Sequence, residues 1–136
     1  MYKINHKAVV LVFLVQILMG FAWYAAAPAS LVDYSQNAPV FPSIKYLTFF
    51  CLASLVYLYF TAWLLLKVNQ LSSFSMMLLV LGMWLCVVLP NYFFISFHLH
   101  LDLLNSMYIL SYGAFSSLLA GLVFPLWKAS RSIFKG

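Results

Sequence analysis

Residues 8–27 of the chain read AVVLVFLVQILMGFAWYAAA, an apolar run with one strongly polar member, Gln16. An α-helix needs about 20 such residues to cross the hydrocarbon core of a bilayer. The run follows a short basic head that carries Lys3 and Lys7. It is longer than the apolar segment of a secretory signal peptide, which has roughly 7–15 residues. We therefore predict an uncleaved membrane-spanning helix here.

Three more apolar runs follow, and they predict three more spans, at residues 44–66, 74–97 and 103–127. Of the 136 residues, 66% are hydrophobic and only 7% are charged, whereas a soluble domain has about 25% charged residues. So few charges leave too little polar surface to cover a water-soluble globule. The sequence therefore predicts an all-α fold, a four-helix transmembrane bundle that forms one domain over residues 1–136 and is surrounded by the lipid bilayer. Aromatic residues near the span ends are interpreted as interfacial belts, for example Trp23, Tyr24 and Tyr46.

The basic residues are distributed unevenly between the two sides of the predicted bundle. With four spans, both chain ends and the turn after residue 66 share one side, and that side holds six of the seven cations: Lys3, Lys7, Lys67, Lys128, Arg131 and Lys135. The other side holds Lys45 and both acids, Asp33 and Asp102. Cytoplasmic loops are enriched in Lys and Arg, so both termini are predicted to be cytoplasmic. The net charge of +5 then reflects orientation and contact with anionic lipid, and no nucleic-acid partner is expected.

Small residues recur at four-residue spacing in the fourth run, at Gly113, Ser117 and Gly121. This spacing lets two helices approach closely inside a membrane. The stripe is interpreted either as a helix contact within the bundle or as the seam of a homo-oligomer. Gln16 is predicted to form an interhelical hydrogen bond, because an amide inside a bilayer needs a partner.

The segment that joins the third and fourth runs holds most of the polar side chains capable of chemistry. Asn91, His98, His100 and Asp102 fall within it, and Asp33 lies on the same side by the topology argument. A continuous helix places Asn91, His98 and Asp102 on one face. An extended chain instead points His98, His100 and Asp102 in one direction.

Three interpretations of this cluster remain open. The first is a polar turn in which Asp102 caps the following helix. The second is a ligand-binding or proton-binding site, since histidine titrates near neutral pH. The third is a divalent-metal site formed by His98, His100 and Asp102, because two imidazoles and a carboxylate can ligate such an ion. No cofactor is expected from the rest of the sequence.

Pro90 falls inside the third run. Proline lacks an N–H group, so a carbonyl of the preceding turn loses its donor. In lipid that carbonyl needs another partner. We predict that the helix is interrupted at Pro90 and that Asn91 or a nearby serine supplies the missing donor.

Several classes of membrane protein are excluded by missing residues. The chain has no glutamate of the kind used in proton-coupled multidrug export, no closely spaced cysteine pair for disulfide chemistry, and no Walker, GxSxG or HExxH motif. No catalytic residue is assigned, and an enzyme is less favoured than a non-enzyme. We predict a small accessory protein that self-associates or binds a larger membrane partner, and this function predicts an exposed Gly113/Ser117/Gly121 face. The alternative is a small transporter or ligand-binding protein with an outward-facing polar site and a polar path from Asn91 to Gln16; the third possibility is a metal-dependent membrane enzyme.

Three short motifs carry a resemblance to a known family. Residues 20–24 read GFAWY, residues 81–84 read LGMW, and residues 121–127 read GLVFPLW. With the length and the four spans, these motifs make the chain resemble a family of small bacterial four-helix integral membrane proteins of unknown function, whose first helix carries Gly-x-x-Trp-Tyr. After Tyr24 an alanine-rich run stands where that family has bulkier residues. The resemblance implies a four-helix fold in a bacterial inner membrane and transfers no site residues.

Overall fold

The computed structural model describes residues 4–28 and 43–133, with side chains through residue 127. Its helices are α1 (His6–Ala25), α2 (Ile44–Lys67), α3 (Ser73–Met83), a π-helical turn (Trp84–Val88), α4 (Leu89–His98) and α5 (Leu103–Ile133). The elements α3, the π-helical turn and α4 follow one another without a break and form one long helix, called here the third span (Ser73–His98).

Among the described residues, four helical segments are long and apolar enough to cross a membrane. Their mean hydropathy ranges from 1.7 for Leu103–Trp127 to 2.2 for His6–Ala25. The predicted all-α fold with four helices of spanning length is confirmed. The first three segments begin and end within two residues of the predicted limits 8–27, 44–66 and 74–97, because in lipid the backbone of an apolar run has to satisfy its hydrogen bonds within a helix.

Short polar side chains fix the start of two helices. Asn5 precedes α1, and its Oδ1 accepts hydrogen bonds from the backbone N–H groups of Lys7 and Ala8 at 3.2 and 3.4 Å. Ser72 precedes α3, and its Oγ accepts a hydrogen bond from the backbone N–H of Ser75 at 3.2 Å. Such caps satisfy donors that the first turn of a helix leaves without partners. Both helices therefore begin at a polar, hydrogen-bonded surface.

The apolar core lies towards one end of the bundle. Its buried members come from the start of α1, the end of α2, the start of α3 and the end of α5: Ala8, Val9, Val12, Leu58, Ala62, Leu65, Met76, Val80, Ala120 and Phe124. Successive spans therefore run in opposite directions, and the start of α1, the turn after α2 and the end of α5 meet at this end. Because Lys7 and Lys67 lie there, we call it the basic end. The opposite end, with the turn between α4 and α5, is the distal end.

The central helix of the bundle is α5, which contacts all the other helical segments. Gln16 of α1 and Tyr57 of α2 both hydrogen-bond to it. In the apolar stretch of Leu103–Trp127, 39% of the residues are buried, whereas only 6% are buried in the apolar stretch of the third span. The third span therefore rests mainly on α5 and leaves most of its surface outside the bundle.

The small residues of α5 face other helices of the same chain. A Cβ added at Gly121 would lie 3.4 Å from the Cα of Met77 in α3. Gly113 lies against the indole of Trp84, where an added Cβ would be 2.6 Å from Nε1. Ser117 is buried. Of the two interpretations of this stripe, the structure supports the contact within the bundle. The exposed Gly113/Ser117/Gly121 face that was expected of an accessory protein is not found, because Trp84, Tyr57 and Met77 lie against it.

The helix does not break at Pro90, in contrast to the predicted interruption. A π-helical turn at Trp84–Val88 directly precedes the α4 residues Leu89 and Pro90. Proline removes a donor and crowds the preceding turn, and a wider turn of this kind is a known way to relieve such strain within a helix. The Asn91 Nδ2 donates to the Val87 carbonyl at 2.7 Å. The amide beside the proline thus supplies a donor to the preceding turn.

Replacing Gly113 by leucine tests the close approach of α5 to the third span. Any side chain at this position has to displace the Trp84 indole, because even its Cβ would lie 2.6 Å from Nε1. Overpacking of this kind costs about 1–3 kcal/mol, so we expect a lower midpoint of thermal unfolding in detergent. Gly82→Leu is the matched control, since nothing lies within 4 Å of a Cβ added at Gly82. Equal midpoints for the two variants would contradict this packing.

Candidate functional site

The α4 helix ends in a turn built around His100. His98 is the last residue of α4, and His100 has a φ of 52°, in the left-handed region that glycine usually occupies at helix ends. The N–H of His100 donates to the Phe97 carbonyl at 3.3 Å, and the N–H of Leu101 donates to the Ser96 carbonyl at 3.1 Å. These two bonds form a Schellman motif, which closes the end of a helix. The segment is therefore neither a continuous helix nor an extended chain, the two conformations expected from the sequence.

Asp102 lies directly before α5. Its backbone carbonyl accepts a hydrogen bond from the N–H of Ser106 at 3.0 Å, the first hydrogen bond of that helix, so Asp102 occupies the N-cap position. A carboxylate at this end of a helix is favoured by the helix dipole. This position is the one expected if the segment is a polar turn.

The predicted metal ligands do not converge. His98, His100 and Asp102 are all exposed. Within residues 4–28 and 43–133, no group of three His, Cys, Asp or Glu side chains is arranged so that it could hold a metal ion. The left-handed turn at His100 changes the chain direction between the end of α4 and Asp102, which is the physical reason. Asp33, which was also predicted as a candidate for a ligand-binding or proton-binding site, lies outside the described residues.

Asn91 and Gln16, the polar residues predicted to mark a path through the membrane, occupy different surroundings. Asn91 is exposed on the third span. Gln16 is 1% exposed between α1 and α5, where its Nε2 donates to the Ser116 carbonyl at 3.2 Å. The Tyr112 hydroxyl donates to the Gln16 backbone carbonyl at 3.1 Å. Gln16 thus joins two helices, and its contacts do not lead towards Asn91.

A buried pair of hydroxyl groups joins α4 to α5 just below the distal turn. The Oγ atoms of Ser96 and Ser106 are 2.7 Å apart, and the two residues are 5% and 1% exposed. Buried polar groups need a hydrogen-bond partner, and here each hydroxyl satisfies the other. Sequence reasoning missed this pair, because a serine within an apolar run does not indicate which helix it will face.

A cavity of about 630 Å³ lies between α1, α2 and α5 towards the distal end. Its walls are mainly aromatic, and with Gly20 they include Trp23, Tyr24, Tyr46, Phe50, Tyr108 and Tyr112. The rings also contact one another: the ring centroids of Trp23 and Tyr112 are 6.2 Å apart, and those of Phe50 and Tyr112 are 5.9 Å apart. Aromatic pairs in such tilted arrangements attract one another. We call this space the aromatic cavity.

Three polar groups in the wall of the aromatic cavity hydrogen-bond within the protein. The Tyr108 hydroxyl donates to the Trp23 carbonyl. The Trp23 indole N–H donates to Ser111 Oγ at 2.9 Å, and the Tyr112 hydroxyl donates to the Gln16 carbonyl at 3.1 Å. No charged side chain is found among the described residues that line the cavity. The surface that these residues leave to the cavity is therefore predominantly apolar.

Sequence reasoning assigned Trp23 and Tyr46 to the membrane interface and missed the cavity. A signal was nevertheless present. Tyr46 and Phe50 are four residues apart, as are Tyr108 and Tyr112, and residues at this spacing share one face of a helix. Both aromatic pairs fall in the distal halves of their spans, where they meet across the bundle.

Comparison of the chain with known protein families, with curated proteins and with solved structures finds no match. The resemblance carried by residues 20–24 therefore stays a prediction.

Replacing His100 by glycine distinguishes a structural turn from a histidine site. A left-handed backbone conformation costs a non-glycine residue roughly 1–2 kcal/mol, so His100→Gly is expected to raise the midpoint of thermal unfolding. His98→Gly, the control, removes a histidine from a helical position, where glycine is unfavourable by up to about 1 kcal/mol, and should lower the midpoint. A His100→Gly variant less stable than the wild type would show that the imidazole makes a contact that the fold needs.

Proposed function

We propose that the protein is a small accessory protein of the bacterial inner membrane that associates with a second copy of itself through its third span. It crosses the membrane four times, and both of its termini lie in the cytoplasm. Its role is to make contacts within the membrane, and no reaction is assigned to it.

The exposure of Asn91 is the observation that carries this proposal. At a helical rise of about 1.5 Å per residue, Asn91 lies about 10 Å along the third span from its end at His98. Its Nδ2 bonds to the Val87 carbonyl, yet the side chain is exposed at the surface of the bundle. Polar side chains inside a membrane mostly face protein rather than lipid, and asparagine hydrogen-bonds across helices. A protein neighbour that covers Asn91 explains why an amide stands at this position.

A second copy of the chain is the neighbour that suits an amide best. An amide carries both donors and an acceptor, so two asparagines related by a two-fold axis can satisfy one another. Phe94 and Ile95, one helical turn from Asn91, are 79% and 54% exposed and supply apolar surface for packing. Because only 6% of the apolar stretch of the third span is buried, a neighbour can be added without displacing any helix of the same chain.

The distribution of cations supports the proposed orientation. Lys7 and Lys67 lie together at the basic end, where α1 begins and α2 ends. Positive charge is retained on the cytoplasmic side of a membrane, so the basic end is placed in the cytoplasm and the distal turn outside. The bacterial inner membrane is proposed from the resemblance at residues 20–24.

Replacing Asn91 by leucine is expected to weaken self-association in lipid vesicles. One interhelical hydrogen bond in a membrane contributes about 0.6–2 kcal/mol, so the dissociation constant of the dimer should rise by roughly 3- to 30-fold. Energy transfer between donor-labelled and acceptor-labelled copies measures this constant. Asn91→Gln keeps the amide and is the matched control, which should retain most of the transfer.

Two results would contradict this proposal. One is a protein that stays monomeric at every protein-to-lipid ratio. The other is a dimer whose dissociation constant is the same for Asn91→Leu and Asn91→Gln, which would place the interface elsewhere.

A photo-crosslinker at Phe94 distinguishes a second copy from a larger membrane protein by the mass of the adduct. A photo-crosslinker at Leu18 on α1, which is 68% exposed, is the comparison.

Cysteine labelling of spheroplasts tests the orientation. In a background in which Cys51 and Cys86 are replaced by alanine, Leu99→Cys marks the distal turn and Gln70→Cys marks the turn at the basic end; both positions are exposed. We expect a membrane-impermeant maleimide to label Leu99→Cys in intact spheroplasts, because the basic side stays in the cytoplasm. Gln70→Cys should react only after permeabilisation. The reverse pattern would place both termini outside.

A further inference from the structure

The aromatic cavity is lined by residues of α1, α2 and α5, and no residue of the third span contributes to it. Its volume of about 630 Å³ falls within the range of roughly 300–1,000 Å³ that is typical of small-molecule sites. We propose that the aromatic cavity binds a single acyl chain of a membrane phospholipid. This inference does not rest on self-association, because α1, α2 and α5 form the cavity.

The wall of the cavity selects for an apolar ligand. The donors of Trp23, Tyr108 and Tyr112 are all engaged within the protein. In the part of the cavity that these three residues line, a ligand with carbonyl or hydroxyl groups, such as a quinone, would have to break one of these bonds or bury its own polar atoms without partners, and either is unfavourable. The other hydroxyls of the lining belong to exposed residues, Tyr24, Ser43 and Tyr46. A hydrocarbon chain needs no polar partner, so the ring faces suit it without rearrangement.

The lining of the cavity includes side chains that the described residues leave exposed. Each of the three helices contributes an exposed residue to the lining: Phe21 of α1, Tyr46 of α2 and Ile109 of α5, at 38%, 74% and 44% exposure. These helices are long and apolar enough to cross a membrane, and the medium beside a spanning helix is hydrocarbon, which offers no hydrogen bonds. Phospholipid acyl chains are thus the most concentrated molecules beside the opening, and their chemistry matches its walls.

An acyl chain also restores packing that the helices alone do not achieve. Ring faces beside empty space lose the dispersion contacts that a close-packed interior provides. Gly20 lines this space and lets the Phe50 ring approach closely, because a Cβ added there would lie 2.9 Å from Cζ of Phe50 and 3.7 Å from the Tyr112 hydroxyl oxygen. Any larger residue at this position has to enter the cavity or push the Phe50 ring into it.

Photo-crosslinking of the full-length protein in vesicles tests this site. The probe is phosphatidylethanolamine with a diazirine near the end of one acyl chain, and peptide mass spectrometry locates the adducts. We expect adducts on Phe50 and Tyr112 above the background reported by Leu18, which is 68% exposed on α1 and lies outside the proposed dimer contact. Gly20→Leu should lower the ratio of cavity adducts to Leu18 adducts about tenfold, since it removes burial of several methylene groups. Gly82→Leu, where nothing lies within 4 Å of an added Cβ, should leave the ratio unchanged.

A second variant guards against misfolding of the first. Ile109→Trp fills the cavity from the α5 side without touching the contact between Gly20 and Phe50, and it should lower the same ratio. The thermal unfolding midpoint shows which variants are folded. Cavity adducts that stay at the wild-type ratio in the folded variants would overturn the proposal, as would adducts confined to Leu18 and other exposed faces in the wild type.

Discussion

Gln16 fixes α1 on α5 through hydrogen bonds in both directions. Its side-chain amide donates to the Ser116 carbonyl, and its backbone carbonyl accepts from the Tyr112 hydroxyl. Lipid provides no hydrophobic force between helices, so such bonds and close van der Waals contacts set the register of one helix on another. About two turns further along α1, the Trp23 indole bonds to Ser111 and extends the same alignment. The rings that line the aromatic cavity are therefore held by the bonds that align the helices.

The two ends of the bundle are stabilised by different means. At the basic end, side chains such as Val9, Leu58 and Val80 form a continuous apolar core, and its stability comes from many small dispersion contacts. At the distal end, paired groups such as Ser96 and Ser106 hold the helices at single points, and a cavity remains between those points. The distal end has fewer buried contacts and therefore has lower local stability, as is common where proteins bind ligands.

The helices could be predicted from sequence because an apolar run in lipid satisfies its backbone hydrogen bonds by forming a helix. The departures from regular helix depended on single residues. Gln16 and Asp102 also follow local rules: an amide among apolar residues needs a partner, and an acid suits the start of a helix. The site was harder to predict. His100 adopts a conformation typical of glycine, and this one backbone angle separates it from the histidine and acid beside it in sequence. The contact between Trp84 and Gly113 depends on interhelical register, which one sequence does not reveal.

The π-helical turn changes which face of the third span meets α5. Residues seven apart share a face of a regular α-helix, so the face that presents Met77 and Trp84 to α5 would next present Asn91. A π-helical turn contains one residue more, which rotates the remainder of the helix by about 100°. The Tyr92 hydroxyl and the Ser96 side chain are accordingly buried, while Asn91 is exposed. The two halves of the span are thus out of phase by one residue. The length of a five-residue turn, with no change in any side chain, decides whether the amide faces α5 or the outer surface of the bundle.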